Sequence, residues 1–262
     1  MIEIRNEDCR ETMKGMIEKE EYVDLIVTSP PYNTHRGKIK YNEKNFEYYS
    51  SKYDIEMPNM TREEYIEFVI EVFGLFYQIL KKDGVILWNM SYGSDKYTPM
   101  GRDLIWLVIA EIIRETEFVV ADRIIWKKKR ALPNNMSKNK LTRIVEDIFV
   151  IVRREEYESF FCNKEIIGTM NKSQNLYTVY YNYIEAKNND GKNPYNKATY
   201  STELVLKLLK MYGKEGDEGF VVYDPFGGTG TTINACKEYG VSGIMSELSK
   251  NQCEYAKERV GI

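Results

Sequence analysis

Short apolar runs alternate along the chain with longer segments whose apolar residues recur every three or four positions, and this alternation constrains the fold most. Residues 23–29 form one of the short aliphatic runs, which predicts a buried strand. Residues 61–80 have the spacing of an amphipathic helix, and Thr61 can cap it with Glu64 as the partner of a capping box. These two segments therefore predict a strand followed by a helix.

The same two patterns continue to the end of the chain. They predict strands at 85–90, 118–128, 147–154, 219–226 and 241–247, and helices at 101–116, 201–213, 231–240 and 250–260. Strands separated by helices predict an α/β fold with a mostly parallel sheet and helices on both faces. No helical pattern separates 118–128 from 147–154, so we expect an antiparallel pair at one edge of the sheet. Residues 34–60 and 163–200 fit neither pattern, and loops of such length are typically functional or disordered.

The composition excludes several classes of protein. A chain of 262 residues fits one large domain, and its net charge of -3 means that any surface for nucleic acid must be local. Four scattered cysteines and one histidine, His35, predict neither a disulfide framework nor a metal site, so we expect no metal and a reducing cytoplasm. The charged first residues predict no signal peptide, and no apolar run is long enough to predict a membrane span.

A glycine-rich turn, DPFGGTGTT, begins at Asp224 between a predicted strand and a predicted helix. Glycines let a ligand approach the backbone, and a helix start favours an anionic group. The turn lacks the Lys-Ser/Thr pair of a P-loop and is not GxGxxG, which disfavours triphosphate and dinucleotide ligands. Glu247 ends the next strand, where an acid typically binds ribose hydroxyls. These features predict a nucleoside-binding half; the alternative is a tight turn beside a solvated glutamate.

A second motif, TSPPYN, starts at Thr28, where the first aliphatic run ends. Two prolines cannot continue a central strand, because they donate no hydrogen bond to the ladder. The chain must therefore leave the sheet there, and it presents a serine, two rigid prolines and an aromatic ring. The motif fits a pocket for a flat ligand; the alternative is a turn with a packed tyrosine.

Together the two motifs resemble those of amino-group DNA methyltransferases. DPFGGTGTT resembles their S-adenosylmethionine motif and TSPPYN their catalytic motif, and here the catalytic motif comes first. That order is the one of the β class, a circularly permuted Rossmann-like methyltransferase fold. The resemblance covers most of the chain. It implies a mostly parallel seven-stranded sheet with an antiparallel edge hairpin and helices on both faces.

The resemblance implies S-adenosylmethionine as the cofactor. IRNEDCRETM looks like the opening strand and turn of the family, which would place Asp8 near the adenine. NPYNKATYSTELVLKLL looks like the segment that holds the methionine end, although residues 198–201 depart from the usual His-Pro-Ala-x-x-Pro pattern. The implied cofactor residues are Asp8, Thr28, Ala198, Thr199, Tyr200, Ser201, Asp224, Pro225, Phe226, Gly227, Gly228, Thr229, Gly230, Thr231, Glu247 and Leu248.

The implied catalytic residues are Ser29, Pro30, Pro31 and Tyr32. An exocyclic amine is a poor nucleophile, so the protein must accept its hydrogens as positive charge develops on nitrogen. The Ser29 hydroxyl and the Pro30 carbonyl can accept, and Tyr32 can stack on a base flipped out of the duplex. In the family, Ser-Pro-Pro-Tyr is common in cytosine-N4 enzymes and Asp-Pro-Pro-Tyr in adenine-N6 enzymes. We therefore favour cytosine N4, with adenine N6 as the alternative.

Basic residues gather in one part of the chain. Residues 123–164 contain eleven Lys and Arg and five acids, which suits phosphate contacts. The alternative is a solvated strand rim, which we favour for Arg153 and Arg154. The predicted DNA contacts are Arg36, Lys38, Lys127, Lys128, Lys129, Arg130, Lys138, Lys140 and Arg143. Residues 131–143 and 165–192 would form a small target-recognition region.

The chain is expected to divide into a catalytic half (1–130), a last sheet strand with the target-recognition region (131–192) and a cofactor half (193–262). Expected partners are double-stranded DNA, a cognate restriction endonuclease and a second copy of the chain, in the cytoplasm at the nucleoid. The motif order disfavours protein-glutamine and RNA methyltransferases, and the lack of a Pro-Cys pair disfavours methylation at carbon. The remaining rivals are a non-catalytic DNA-binding protein and a Rossmann-type oxidoreductase.

Overall fold

The computed structural model describes residues 1–31, 60–91, 104–131, 133, 135, 138–139, 141–171, 173–191, 193–196 and 199–262. The strands are β1 (Ile2–Arg5), β2 (Val23–Thr28), β3 (Leu80–Met90), β4 (Phe118–Lys128), β5 (Val145–Arg153), β6 (Ile166–Met170), β7 (Gln174–Tyr177), β8 (Tyr183–Ala186), β9 (Val221–Asp224) and β10 (Ser242–Ser246). The helices are α1 (Cys9–Glu18), α2 (Arg62–Ile79), α3 (Leu104–Glu115), α4 (Thr202–Tyr212), α5 (Thr231–Tyr239) and α6 (Lys250–Val260).

Among the described residues, eight strands form the main sheet, in the order β1-β10-β9-β2-β3-β5-β4-β8. The five strands from β1 to β3 are parallel, β5 is antiparallel to both β3 and β4, and β8 is parallel to β4. The expected α/β class and the antiparallel pair are confirmed. The sheet has eight strands rather than seven, so that pair lies one strand inside the edge. Strand β8 has four residues with two buried side chains, which is too short to give a clear alternating pattern.

Helices cover both faces of the sheet, as the sequence predicted. In β2, Ile26 packs in the cluster that contains α1, α2 and α3, whereas Leu25 and Val27 pack in the cluster that contains α4 and part of α5. Helix α6 packs on the second face through a smaller cluster in which Ala256 meets Ile233 of α5. This alternation follows from the two-residue period of a strand buried on both sides.

Local signals explain several element boundaries. The Thr61 hydroxyl accepts from the Glu64 amide at 3.2 Å and the Glu64 carboxylate accepts from the Thr61 amide, so the expected capping box is present. Helix α1 was not predicted from periodicity; Asp8 caps it. Within residues 163–200, expected to be irregular, β6 and β7 form a separate two-stranded sheet and β8 joins the main one.

The parallel strands place three sequence motifs at one edge of the sheet. Strands β2, β9 and β10 end at Thr28, Asp224 and Ser246, and parallel neighbours have their carboxyl ends on the same side. In open α/β sheets, ligands bind outside this edge. Within the described ranges, none of the helices is long and apolar enough to cross a membrane.

Candidate active site

A buried hydrogen bond joins the two motifs. The Thr28 hydroxyl at the end of β2 donates to Asp224 Oδ1 at the end of β9, with 2.7 Å between the oxygens. Strands β2 and β9 are paired neighbours, with Leu25 opposite Val222. Residues that are far apart in sequence therefore lie side by side, and the segment after Thr28 starts next to the glycine turn.

Asp224 is the centre of this network. Its side chain is almost completely buried, and it also accepts from the Thr232 hydroxyl at 2.6 Å, the Tyr200 hydroxyl at 3.0 Å and the Phe226 amide at 3.1 Å. Burial raises the pKa of Asp224, and the hydrogen bonds from Thr232, Thr28, Phe226 and Tyr200 oppose that rise. The carboxylate thus holds four segments in place rather than facing solvent.

The glycine turn is packed too closely for side chains. Gly228 and Gly230 have φ angles of 52° and 75°, in the left-handed region that favours glycine. A Cβ on Gly230 would lie 2.7 Å from Cβ of Ala256 in α6. Between the two glycines, the hydroxyl of Thr229 is buried and has no partner among the residues described. A buried polar atom without a partner fits a turn that a ligand completes.

Glu247 bridges the turn and the end of β10. Its Oε2 accepts from the Gly228 amide at 2.9 Å, and its Oε1 accepts from the Ser249 amide at 2.8 Å. Burial raises the pKa of Glu247, while the two backbone amides act in the opposite direction. Each carboxylate oxygen has a further lone pair, so the fixed side chain can still accept from ligand hydroxyls.

Asp8 lies at the end of the neighbouring strand. It caps α1 and forms a 2.8 Å ion pair with Arg10, whose hydrogen bond holds the pKa of Asp8 below its usual value. The Asn6 side chain donates to the carbonyls of Glu247 and Leu248 at 2.8 and 3.0 Å, which ties the ends of β1 and β10 together. Asp8 and Glu247 thus lie at the same edge of the sheet.

Several other expected cofactor residues have structural partners. The Ser201 hydroxyl is buried, caps α4 by accepting from Leu204 and donates to the Lys187 carbonyl at 2.8 Å. The Phe226 ring packs against Trp88 and Phe68, and the Thr231 hydroxyl accepts from Arg259 at 3.1 Å.

The remaining expected cofactor residues differ in their exposure. Pro225 and Gly227 are buried in the turn, Thr199 is partly buried, and Leu248 is exposed. Ala198 lies outside the described residues. Where the chain is described, no group of three or more His, Cys, Asp or Glu side chains could hold a metal.

The expected catalytic segment leaves the sheet directly after Thr28, as its prolines predicted. Pro30 is buried, whereas Ser29 and Pro31 are partly buried beside the Thr28–Asp224 contact. Tyr32 lies outside the described residues. The serine hydroxyl and the proline carbonyl are therefore at the carboxyl edge of the sheet, next to the glycine turn.

The expected DNA contacts fall into two groups. Lys127 pairs with Glu185, Lys128 with Glu146, and Lys129 with Glu203. Arg130, Lys138 and Arg143 are exposed, whereas Arg36, Lys38 and Lys140 lie outside the described residues. The interpretation of Arg153 as a solvated rim residue is wrong. It is buried, donates to the carbonyls of Tyr77, Leu80 and Lys81, and pairs with Glu156.

Sequence reasoning missed several residues of the site. Thr232, the last residue of the glycine motif, donates to Asp224, and its position in the first helical turn was a signal that could have found it. Asn196 donates to Gln252 at 3.3 Å, and its Nδ2 would lie 3.3 Å from a Cβ on Gly228. Asn6 and Asn196 lie within the segments IRNEDCRETM and NPYNKATYSTELVLKLL but were not singled out, and no motif marked Gln252, because the contacts of all three depend on tertiary neighbours.

Known proteins are similar to this chain in sequence and in fold. A family model described as DNA methylase (N6_N4_Mtase) matches residues 23–258. The type II methyltransferase M.MjaI of Methanocaldococcus jannaschii is 24% identical over 93% of this chain and 87% of its own. The crystal structure of the M1.HpyAVI–SAM complex superposes with a TM-score of 0.64 at 22% identity, covering all of both chains. The cytosine-N4-specific PvuII DNA methyltransferase superposes with a TM-score of 0.71 at 17% identity, over 98% of this chain and 86% of that one.

Proposed function

This chain belongs to the family of N6- and N4-specific DNA methylases, which take their methyl group from S-adenosylmethionine, and we propose that it methylates the N4 amine of cytosine in double-stranded DNA. The observation that carries the proposal is the 2.7 Å hydrogen bond between Thr28 and Asp224. It connects the segment proposed to hold the target base with the turn proposed to hold the methyl donor.

The cofactor would bind across the carboxyl ends of β9, β10 and β1. Glu247 would accept from the ribose hydroxyls, and Asp8 would lie on the adenine side. The glycine turn would meet the methionine end of the cofactor, where the unpaired Thr229 hydroxyl would gain a partner. Of the expected cofactor residues, Ser201 and Phe226 would support the pocket from behind, because their polar and aromatic groups are engaged within the fold.

Bound S-adenosylmethionine supplies an electrophilic methyl group on a sulfonium. The chain would hold the base amine in line with it, and the Ser29 hydroxyl and Pro30 carbonyl would accept the amine hydrogens. Tyr32 would stack on the flipped base. Ser29 would act as an acceptor and not as a base, because a serine hydroxyl does not take a full proton at neutral pH. The proton would leave to water after methyl transfer.

Serine at position 29 favours cytosine N4 as the target, because Ser-Pro-Pro-Tyr is the form common in enzymes of that specificity. Adenine N6 methylation is the alternative within the same family.

DNA would approach the carboxyl edge of the sheet, with Lys138 and Arg143 among its phosphate contacts. Residues 1–130 would form the catalytic half, 193–262 the cofactor half, and the region between them would contain the target-recognition segment. A DNA substrate implies a cytoplasmic enzyme at the nucleoid. A cognate restriction endonuclease and a second copy of the chain are the further partners we propose.

The test is transfer of label from methyl-tritiated S-adenosylmethionine to DNA of mixed sequence, followed by digestion and identification of the modified nucleoside. We expect N4-methylcytosine in DNA, and about 100-fold slower labelling with Ser29→Ala protein that still binds the cofactor. Sequencing of DNA from cells that express the chain would then give the recognition site.

Each other outcome has a defined meaning. N6-methyladenine would overturn the choice of base and leave the site intact. Transfer to no DNA at all would overturn the enzymatic proposal and favour a non-catalytic DNA-binding protein. Binding of nicotinamide dinucleotide without binding of S-adenosylmethionine would favour an oxidoreductase.

A further inference from the structure

Arg259, in the last turn of α6, connects the glycine turn to a segment that is distant in sequence. Its Nη1 donates to the Thr231 hydroxyl at 3.1 Å and to the Thr229 carbonyl at 3.4 Å. Its Nη2 pairs with the carboxylate of Asp190 and donates to the Thr202 hydroxyl at 2.9 Å. One guanidinium therefore contacts both the glycine turn and the start of α4, because its rigid fork of donors can bridge several acceptors.

Asp190 has a fixed position at the start of α4. Its carboxylate accepts from the Thr202 amide at 2.9 Å and from the Thr202 hydroxyl at 2.6 Å. An anion at a helix N-terminus is favourable, because the free amides there carry partial positive charge. The ion pair with Arg259 is partly buried, with 32% of the Asp190 side chain and 18% of the Arg259 side chain exposed. The carboxylate is thus held from two sides, and it gives Arg259 an anchor outside α6 and outside the glycine turn.

The segment 187–190 reaches from this ion pair to the basic end of β4. Strand β8 is parallel to β4, so the segment that follows β8 starts at the same carboxyl edge as Arg130. The Asn188 side chain donates to the Arg130 carbonyl at 2.6 Å and accepts from the Arg130 amide at 3.3 Å. Two residues further on, Asp190 meets Arg259. Four residues thus join a predicted DNA contact to the turn predicted to hold the cofactor.

The contacts of Arg259 end on the residue of the glycine turn whose side chain lacks a partner. Arg259 holds the Thr229 carbonyl, whereas the Thr229 hydroxyl is buried and has no partner among the described residues. The position of that hydroxyl, where we expect the methionine end of the cofactor, depends on how the backbone of Thr229 is held. Lys257, in the same last turn of α6, pairs instead with Glu254 within the helix at 2.9 Å. A cation at this end of α6 therefore does not need to reach the glycine turn.

We propose that Arg259 and Asp190 are positioning residues that hold the glycine turn for the cofactor, and that the segment 187–190 connects this turn to DNA. The proposal rests on the function proposed above. DNA bound at Arg130 would favour the arrangement of the segment in which Asp190 meets Arg259. Cofactor binding at the turn would favour the same arrangement, so each ligand would tighten the binding of the other.

The test measures the dissociation constant of S-adenosylhomocysteine, the demethylated and therefore unreactive form of the cofactor. Calorimetric titrations with and without saturating unmethylated genomic DNA compare the full-length wild type with Arg259→Ala, Asp190→Asn and the control Lys257→Ala. We expect DNA to tighten binding by the wild type and the control. Without DNA, Arg259→Ala should bind about tenfold more weakly, the effect of one charged hydrogen bond, and DNA should not tighten its binding.

Asp190→Asn keeps an acceptor for Thr202 but loses the charge that pairs with Arg259, so it should show the same two changes to a smaller extent. Adding Asp190→Asn to Arg259→Ala should cause no further loss of affinity, because the two residues act as one unit. Urea denaturation shows whether each variant is folded. If Arg259→Ala is not, Arg259→Lys takes its place, since lysine keeps the charge but not the fork of donors.

Equal affinities for Arg259→Ala and Lys257→Ala would overturn the positioning role, and a loss of stability alone would make the ion pair a structural contact only. A wild type whose affinity DNA does not change, or an Arg259→Ala protein whose binding DNA still tightens, would overturn the connection to DNA.

Methylation of the same DNA, assayed separately, distinguishes this proposal from the proposed function. A wild type that transfers methyl groups while all variants bind alike would refute the role of Arg259 and Asp190 and leave the proposed function standing. A wild type that transfers none would refute the proposed function, and the affinities of the variants would still decide whether Arg259 positions the glycine turn.

Discussion

The cofactor end of the sheet and the basic end of β4 are built in different ways. Around Asp224 and Glu247, hydrogen bonds from backbone amides and buried hydroxyls hold the side chains. Around Lys127, Lys128 and Lys129, the cations pair with acids on other elements, of which Glu146 is buried. The first region is fixed by buried hydrogen bonds, whereas in the second the acids already neutralise the cations.

The contrast between the two regions shows which functional residues are recognisable from a sequence. Where the local backbone geometry accepts only particular residue types, those residues form a motif that is recognisable in the sequence. Charge pairing depends on acids that are distant in sequence, such as Glu185 and Glu203, and leaves no local signal. Substitutions at the two ends test whether the cofactor end is packed as tightly, and the basic end neutralised as fully, as these contacts indicate.

Substitution of Gly230 by alanine should have the largest effect on stability. It would force a left-handed residue to carry a Cβ and drive that atom into Ala256, whose Cβ is 2.7 Å away. We expect the free energy of unfolding to fall by roughly 3 kcal/mol, from backbone strain and overpacking together. Urea denaturation measures this, and cofactor affinity should fall in parallel.

Gly74→Ala is the matched control for that substitution. Gly74 is exposed within α2, and a Cβ there meets nothing within 4 Å. Alanine should raise the free energy of unfolding by about 0.5–1 kcal/mol, because it restricts the unfolded chain. Equal changes in the free energy of unfolding at positions 74 and 230 would contradict the interpretation that the glycine turn has no space for a side chain.

Ser29→Ala should affect turnover and leave cofactor affinity unchanged. Loss of one hydrogen-bond acceptor for the developing charge is expected to lower kcat about 100-fold. Single-turnover methylation and calorimetric titration with S-adenosylmethionine separate the two quantities.

The substitution Thr28→Val at the neighbouring position provides a comparison, because it should affect stability and cofactor affinity rather than turnover alone. It removes a buried hydrogen bond to the Asp224 carboxylate, and should cost about 1.5–3 kcal/mol of stability and weaken the cofactor as well. Normal turnover by Ser29→Ala would show that its hydroxyl has no role in transfer.

The family, the fold class and the expected cofactor could be predicted from the sequence, since the glycine turn and TSPPYN carry them. The eighth strand could not, because Tyr183–Ala186 is short and only half buried. Helix α1 was missed because its cap, Asp8, was assigned to the ligand rather than to a helix start. The short strand depends on its tertiary neighbour β4, whereas helix α1 had a local signal that was interpreted as a ligand contact.

Within the site, the sequence located the turn but not the side chains behind it. Ser201 was expected to contact the cofactor, and in the structure its hydroxyl is engaged as the cap of α4 and with Lys187. Arg153 was expected at a solvated rim, and it is buried against three carbonyls. A basic residue in a sequence does not show whether its partner is solvent, a carbonyl, an acid or DNA.

The pH dependence of cofactor binding should distinguish Glu247 from Asp8, the two carboxylates of the pocket, because their pKa values are shifted in opposite directions. Burial raises the pKa of Glu247 above its usual 4.5, whereas Arg10 lowers that of Asp8. Ribose hydroxyls would stabilise the Glu247 carboxylate, so binding would release its proton and affinity should rise with pH through this raised pKa. The expected change is about tenfold, the value of a charged hydrogen bond.

Calorimetric titrations from acidic to neutral pH measure it, with Glu247→Gln as the control. The glutamine variant should bind more weakly at neutral pH and show a flatter profile. Asp224 and Asp8, whose pKa values are also shifted, are present in both proteins, so any dependence that remains in the variant does not come from Glu247. Identical profiles would mean that Glu247 does not contact the ribose.

The smallest expected effect is on DNA affinity, upon substitution of surface lysines. It tests whether a lysine that is paired with an acid contacts DNA less than an unpaired one. Lys138 is exposed in a turn, whereas Lys127 is paired with Glu185. Lys138→Gln should weaken binding equally for all sequences and reduce the slope of log affinity against log salt by about 1, because one phosphate contact is lost. Lys127→Gln should leave the slope unchanged, since its charge is already neutralised by Glu185. Fluorescence anisotropy with duplex DNA at several salt concentrations measures both slopes, and a reduced slope for Lys127→Gln alone would show that DNA displaces the acid and binds the paired strand end instead.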